Sequence, residues 1–346
     1  MSRRFAVRGP VVAAVIAAVT VAGCALEDSG PSTSSDGLDV IKVGYLHTVA
    51  VDSHLWLGLE RGTFEEHGLK IEPVKFDTGI AESQALSGGS IDVAIMGAVL
   101  SNFPAQGNGK VVLTNDVEFD TAQLWADPSK GIRSVKDLEG QRIITATGTT
   151  AHVYLHNALV ANGVDPDSVN IINADMPSAV TAFVSGQVPA VALWVPFDQT
   201  VQKEFPEAEL VDSAKSYYPE AAILGGWVAN NDFHRSNREI LDKLAAAWLD
   251  INHELVSNPE ESMTVVHEAA YAQDQELAET LRQFSFEEVY SNEEWAQQFE
   301  SGEVERWIGQ VEEIFVEVGG IKEYVDPGEF VDADIFLDAY NEWSEE

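Results

Sequence analysis

The run Gly148-Thr149-Thr150 places two hydroxyl side chains where a short apolar strand gives way to a helical pattern. At such a junction, the first backbone N–H groups of the helix and the positive end of its dipole point the same way. This arrangement suits a sulfonate or a carboxylate. His152, in the first helical turn, could donate to the same anion or be structural. Thr149 equally suits a plain helix N-cap, and both interpretations stay open.

Further candidates follow other strands. Gly97 and Ala98 form a comparable turn in the first half of the chain, and His47 and Thr48 follow the first strand. They could supply donors to a ligand or simply face solvent. Asp116 lies in an acidic segment, Asn115–Asp120, where it could pair with a ligand ammonium or belong to a solvated hinge surface. An anion-binding turn opposite a carboxylate would suit a zwitterion such as an amino-sulfonate.

Two tryptophans could form a flat wall against an alkyl chain or a ring. Trp194 ends a predicted strand, where the ligand cleft of an open α/β sheet is expected, and Trp227 lies on a strand returning from the second half. Trp56 is as well explained by helix packing.

Alternating hydrophobic patterns position these residues. The sequence predicts two α/β lobes with a cleft between them: residues 39–122 with 226–346, and residues 123–225. Hinge motion is expected near 119–125 and 223–229. The last third is helical, with Trp stripes that belong to the core. The predicted elements are strands over 40–46, 69–76, 91–96, 142–145, 169–173, 190–194 and 223–229, and helices over 53–67, 81–87, 135–138, 151–162, 178–186, 236–256 and 293–318.

The N-terminus has the pattern of a secretory leader, with a basic start, an apolar stretch and small residues before Cys24. The run Val21-Ala22-Gly23-Cys24 resembles a bacterial lipobox, which implies cleavage of residues 1–23 and lipidation of the Cys24 thiol. The apolar stretch is too short to cross a bilayer. Residues 24–38 predict a flexible tether, and the single cysteine excludes an internal disulfide.

The formal net charge of −37 excludes nucleic acid as a partner, because phosphate binding needs a basic surface. Most of this acidity is expected on a solvated surface. The scattered histidines indicate no metal site, and no catalytic motif or cofactor fingerprint occurs. We therefore expect no enzyme, cofactor or metal.

Several segments together resemble the substrate-binding proteins of ABC importers for nitrate, sulfonate and taurine, which are similar to pyrimidine-precursor proteins of thiamine biosynthesis. They are Lys75-Phe76-Asp77-Thr78-Gly79, residues 85–93 (ALSGGSIDV), residues 134–140 (SVKDLEG), residues 148–152 (GTTAH) and Trp194-Val195-Pro196. The taurine-binding branch resembles the chain most closely.

The resemblance implies a two-lobed, type II periplasmic-binding-protein-like α/β fold with a helix-flanked sheet in each lobe. It implies a monomeric, lipid-anchored receptor on the outer face of the cytoplasmic membrane, which delivers a small organic anion or zwitterion to an ABC permease. The ligand is expected at the 148–150 turn and at Asp77. Ala98 and Val99 stand where taurine and sulfonate relatives often have hydroxyl residues, which makes taurine itself less certain.

Two alternatives remain. The apolar Ala98-Val99 turn and the tryptophans favour a carrier of a pyrimidine thiamine precursor or an aromatic acid. A cleft-based lyase of the same fold is the alternative of another class, although a lipid-anchored exported protein fits a biosynthetic role poorly.

Overall fold

A computed structural model describes residues 33–343 of the chain. The predicted leader, the lipidation site Cys24 and most of the predicted tether lie outside the described residues. Residues 34–38 form a turn that is closed by a bridge between Thr33 and Asp39. The strands are β1 (Asp39–Leu46), β2 (Leu69–Phe76), β3 (Val93–Met96), β4 (Lys110–Val117), β5 (Ala122–Ala126), β6 (Arg142–Thr145), β7 (Asn170–Asn173), β8 (Ala190–Trp194), β9 (Glu209–Ser213) and β10 (Leu224–Ala229).

The helices cover both sheets and make up the last third of the described chain. None of them, within residues 33–343, has the length and apolar character that a membrane span requires. They are α1 (Val49–Arg61), α2 (Thr63–Glu66), α3 (Gly79–Ser87), α4 (Val99–Ala105), α5 (Thr150–Ala161), α6 (Met176–Val184), α7 (Phe197–Glu204), α8 (Asn231–Ser236), α9 (Arg238–Ser257), α10 (Pro259–Val266), α11 (Leu277–Phe284), α12 (Asn292–Glu300), α13 (Glu303–Glu317) and α14 (Ala333–Glu342).

Two five-stranded sheets with related strand orders form the two lobes. The first sheet has the order β2-β1-β3-β10-β4, and the second has β7-β6-β8-β5-β9. In each, the first three strands are parallel and the fourth runs antiparallel to both of its neighbours. The chain enters the second lobe between β4 and β5 and returns between β9 and β10. The predicted two-lobed α/β fold is confirmed.

Each lobe has its own hydrophobic core, and one helix contributes to both. The first half of α13 places Trp307 in the core of the first lobe, whereas its second half places Ile314 and Phe315 in the core of the second. The C-terminal helices therefore connect the lobes in addition to the two chain crossings.

Glycine divides two helices that the sequence predicts as continuous. Gly62 separates α1 from α2 with φ 76°, and Gly302 separates α12 from α13 with φ 75°. In both cases the backbone enters the left-handed region, which glycine adopts without a steric penalty and which ends a helix. The prediction of single helices over 53–67 and 293–318 was therefore wrong, since each is two helices, although their apolar faces pack as expected.

Candidate functional site

The two predicted binding turns meet in the folded chain. The turn after β3 contains Gly97 and Ala98, and the turn after β6 contains Gly148, Thr149 and Thr150. The Ala98 N–H donates to the Thr150 hydroxyl at 3.4 Å. Both turns follow the carboxyl ends of parallel strands, where ligand sites of open α/β sheets lie.

A carboxylate lies between these turns. The Thr150 hydroxyl donates to Glu118 Oε1 at 3.0 Å, and the Thr121 hydroxyl donates to Oε2 at 3.2 Å. A Cβ on Gly97 would lie 2.4 Å from Glu118 Oε1, so a side chain there would displace the carboxylate. Glu118 is 6% exposed, and burial raises its pKa to about 7 despite these hydrogen bonds. Its N–H donates to the Ile223 carbonyl at 2.8 Å, which joins the two crossings.

The Gly148 N–H and both threonine hydroxyls of the predicted anion-binding turn are engaged within the protein. The Gly148 N–H donates to His152 Nδ1 at 3.1 Å, and the Thr149 hydroxyl donates to the Ala146 carbonyl at 2.7 Å. Burial lowers the pKa of His152 to about 4, so its ring is neutral at pH 7 and Nδ1 accepts the hydrogen bond. Thr149 is the N-cap residue of α5, but its side chain makes no capping bond. Anion binding at this turn stays a prediction.

The first lobe contains a buried network of polar side chains around Asp52. Asp52, on α1, accepts from Tyr271 Oη at 2.5 Å and from Trp56 Nε1 at 2.8 Å, and Nδ1 of His47 lies 3.5 Å from Asp52 Oδ2. The rings of His47 and Tyr271 stack in parallel with centroids 4.4 Å apart. The hydrogen bond to Asp52 raises the pKa of His47, and burial raises the pKa of Asp52. Tyr271 ends a π-helical turn, His267–Tyr271, a geometry often found at functional sites.

Two more carboxyl groups lie beside this network. Asp116 is 1% exposed, and neither of its oxygens has a hydrogen-bond partner among residues 33–343. Oε1 of Glu287 is likewise buried without a partner in the described chain. No group of three or more His, Cys, Asp or Glu side chains within residues 33–343 is arranged to hold a metal ion.

The other predicted site residues lie in different surroundings. Trp194 is partly exposed and meets Phe197 edge-on, with ring centroids 5.7 Å apart. Trp227 is 0% exposed and donates to Asn115 Oδ1 at 2.7 Å within the first core. This leaves no exposed ring face for a ligand wall. Thr48 is the N-cap residue of α1, and Asp77 is exposed between β2 and α3.

A polar cluster joins the lobes beside the site. Arg282, on α11, contacts Asp198 of α7 with Nη1 2.9 Å from Oδ2. Arg282 also binds Glu279, and Gln199 donates to Glu279 Oε1 at 2.8 Å. Helix α11 packs against α1 and α10 of the first lobe, whereas α7 packs against α6 and β8 of the second. We call Asp198, Gln199, Glu279 and Arg282 the interlobe clasp.

Sequence reasoning missed part of this site. Glu118 lies within the acidic segment that the sequence singles out, so its neighbourhood was visible although its contacts with the two turns were not. Tyr271 and Glu287 belong to the helical C-terminal region, which the sequence marks only as packing. No local motif connects them with Asp52 or Asp116.

The two sheets and their flanking helices define a two-lobed α/β protein with the periplasmic-binding-protein fold. The family model described as NMT1/THI5-like matches residues 53–262, and the chain belongs to this family. Tyr271, Glu287 and the α11 part of the clasp lie beyond the matched residues.

Curated relatives agree with this assignment. A binding protein of Brucella abortus (strain 2308) is 26% identical over 296 residues, covering 86% of this chain and 91% of that protein. The taurine-binding periplasmic protein of Escherichia coli (strain K12) is 26% identical over 200 residues, covering 57% of this chain and 61% of that protein.

Solved structures show the same fold. The alkanesulfonate-binding protein SsuA from Xanthomonas axonopodis pv. citri, bound to MOPS, has a TM-score of 0.68 and 20% identity, covering 84% of this chain and 97% of that chain. The nitrate-binding protein NrtA from Synechocystis PCC 6803 has a TM-score of 0.69 and 12% identity, covering 89% of each chain. The relatives' names include binding proteins for taurine and aliphatic sulfonates and a periplasmic binding protein of an ABC transporter, so a transport role is supported.

Proposed function

We propose that this chain is the lipid-anchored, extracytoplasmic solute-binding protein of an ABC importer. A small organic solute enters between the lobes, the lobes close over it, and the closed form delivers it to a permease without chemical change. Cys24 carries the lipid on the outer face of the cytoplasmic membrane. Support comes from the family, from the transport roles in the relatives' names and from the lipobox-like run before Cys24.

The solute we propose carries an amine, as taurine-like zwitterions do. The observation that carries this choice is the Glu118 carboxylate between the two turns, where it accepts from Thr150. A solute with negative charge alone would be repelled by the Glu118 carboxylate when that group is ionised. An ammonium group would instead find charged acceptors, which make stronger hydrogen bonds than neutral ones.

A second candidate is an aromatic solute, such as a pyrimidine precursor or an aromatic acid. The stacked pair His47–Tyr271 and the edge-on contact of Trp56 with Tyr45 favour it, because they surround the carboxyls with ring surfaces. An aminopyrimidine combines a ring with amine donors and would satisfy both observations.

A matched ligand panel tests the proposed solute. We would measure thermal shifts and calorimetric affinities with taurine, propanesulfonate, nitrate, a 4-aminopyrimidine and benzoate. Taurine or the aminopyrimidine is expected to stabilise the protein, whereas propanesulfonate, which keeps the sulfonate and lacks the amine, is not. Glu118→Gln should weaken the binding by about tenfold, since it removes one charged acceptor. Glu139→Gln, on an exposed surface of the second lobe, is the control.

Equal affinity for propanesulfonate and taurine would contradict the amine requirement. Chemical analysis of the recovered ligand distinguishes the transport receptor from the lyase alternative, because a receptor returns its solute unchanged. The anchor is tested separately by lipid labelling in cells, which Cys24→Ser should abolish.

A further inference from the structure

We propose that Asp116 and Glu287 together form a two-carboxyl subsite that exchanges a proton for a positively charged, N–H-rich group of the solute. This inference rests on the proposed function, because the solute would enter the same cleft. It adds the residue Glu287, the class of the bound group and a proton coupled to binding.

The backbone places Asp116 where it cannot find a partner within the described chain. Asp116 pairs with Gly225 across β4 and β10, next to a β-bulge. A Cβ on Gly225 would lie 2.2 Å from Asp116 Oδ1, so the carboxyl occupies the space that the missing side chain leaves. A buried carboxyl is normally hydrogen-bonded. Asp116 therefore has unused acceptor capacity near the end of β4, next to the first crossing between the lobes.

Glu287 reaches the same place through a backbone pairing between distant segments. Glu288 and Val117 exchange two hydrogen bonds, of 2.9 and 3.0 Å, and the Asp120 N–H donates to the Phe286 carbonyl at 2.7 Å. These bonds hold the segment between α11 and α12 against the end of β4. Glu287 is therefore held at the end of β4, near Glu118 and Asp116, and has a buried Oε1 without a partner in the described residues.

The charged groups around the pair are also acidic. Glu118 faces Asp116, and Asp52, Glu118 and Asp116 face Glu287. Tyr271 also faces Glu287 and donates to Asp52. The basic groups in the neighbourhood are His47, which pairs with Asp52 and Asp274, and Lys75, which lies close to His47. No lysine or arginine within residues 33–343 forms a salt bridge with Asp116 or Glu287. Burial, followed by repulsion from Glu118, raises the pKa of Asp116 well above its usual range. Burial, followed by repulsion from Asp116, does the same to the pKa of Glu287.

The chemistry of the pair specifies its ligand. Without a bound cation, the two carboxyls hold protons, because two buried negative charges side by side are unfavourable. A primary ammonium, an amidinium or a protonated aminopyrimidine supplies both positive charge and several N–H donors. When it binds, a carboxyl proton leaves to the solvent, and the resulting carboxylate accepts from the cation.

Calorimetry with paired probes tests this exchange. Taurine is compared with isethionate, which has a hydroxyl in place of the ammonium, and benzamidine with benzamide. Titrations at pH 7 in two buffers of different ionisation enthalpy give the number of protons released. We expect about one proton per bound cationic probe, and an affinity that rises up to about tenfold per pH unit between pH 6 and 8.

Variants test whether the released proton comes from Asp116 and Glu287. Glu287→Gln is expected to reduce the proton release and to weaken cationic probes at least about tenfold, whereas Glu300→Gln, an exposed residue of α12, leaves both unchanged. Infrared spectra of the protein without solute provide a check that needs no ligand. A protonated-carboxyl band at pH 7 should weaken in Glu287→Gln and in Asp116→Asn.

The outcomes separate the subsite from the proposed function. Binding of the cationic probes without buffer dependence, or equal binding of isethionate and benzamide, overturns the subsite and leaves the transport role intact. If the protein binds only propanesulfonate or nitrate and none of the cationic probes, the subsite is likewise overturned and the transport role is left intact. If a folded protein binds no member of either panel and shows no protonated-carboxyl band, both proposals fail.

Discussion

The interlobe clasp offers a direct perturbation of closure. Arg282→Met removes the guanidinium that joins α11 to Asp198 and keeps an apolar stem of similar length. Asp198 is 1% exposed at its side chain and Arg282 is 30% exposed. The variant therefore leaves a buried carboxylate of the second lobe without its cation whenever the lobes are closed.

The free energy that the closed state loses in Arg282→Met is expected to lie between two limits. Breaking a fully buried ion pair by removing one partner costs about 3–5 kcal/mol, whereas an exposed pair contributes about 0–1 kcal/mol. Arg282 is partly screened by solvent, so we expect the closed state to lose about 2 kcal/mol, which is roughly 30-fold in its population relative to the open state. Because the proposed function places the solute between the lobes, its affinity should fall by a comparable factor if the closed form is the binding form.

Small-angle scattering and calorimetry would measure this effect. Arg282→Met should increase the radius of gyration of the solute-bound protein and weaken binding mainly through faster dissociation. The double variant with Asp198→Asn should bind nearly as well as Arg282→Met alone, because the two residues act as one unit. Arg235→Gln, which removes a highly exposed pair with Asp232, is the control. Additive losses in the double variant, or a scattering profile and affinity unchanged by Arg282→Met, would refute this account.

Three further predictions concern stability. Asn252→Leu should lower the free energy of unfolding in urea by about 3 kcal/mol, because buried Asn252 donates to Tyr290 O and Asn292 and contacts His54. Gly225→Ala should cost about 2 kcal/mol through its overlap with Asp116, which a thermal-melt comparison with wild type would detect. Glu118 has a folded pKa of about 7 against 4.5 in the unfolded chain, so its contribution to stability falls as the pH rises through this window. Between pH 4.5 and 7, the free energy of unfolding of Glu118→Gln should therefore rise by about 3 kcal/mol relative to that of the wild type. If the two proteins showed the same dependence of unfolding free energy on pH, the raised pKa of Glu118 would be contradicted.

Strands 69–76, 142–145 and 190–194 were predicted with the bounds that the structure has. Strands 142–145 and 190–194 are buried along most of their length and give short continuous apolar runs. Strand 69–76 lies at the edge of its sheet and instead shows alternation of buried and exposed residues at its start. Strands β5 and β9 and helices α4, α7 and α11 were missed because such short segments show too few repeats of an apolar pattern. The two glycine breaks could have been noticed, but an isolated glycine within a helical pattern is often tolerated.

The site was harder to predict because its parts are far apart in sequence. Gly97, Ala98 and the 148–150 turn could be found by local rules, since each follows a strand and opens a helix. The hydrogen bond between Asp52 and Tyr271 spans 219 positions. No periodicity encodes such a pairing, and only the packing of the C-terminal helices against α1 and β4 produces it.

The contrast between local signals and contacts over long sequence distances also affects the charge that is expected of the solute. A helix N-terminus offers the equivalent of about half a positive charge, an effect of roughly 0.3–1 kcal/mol that fades within one turn. Local reasoning about the 148–150 turn therefore pointed to an anion. The folded chain adds the Glu118 carboxyl group at that turn, where Oε1 accepts from Thr150, with Asp116 and Glu287 close to it. An ionised carboxylate in this buried setting outweighs a partial dipole, which is why the proposed solute carries a positive group even if its other end is an anion.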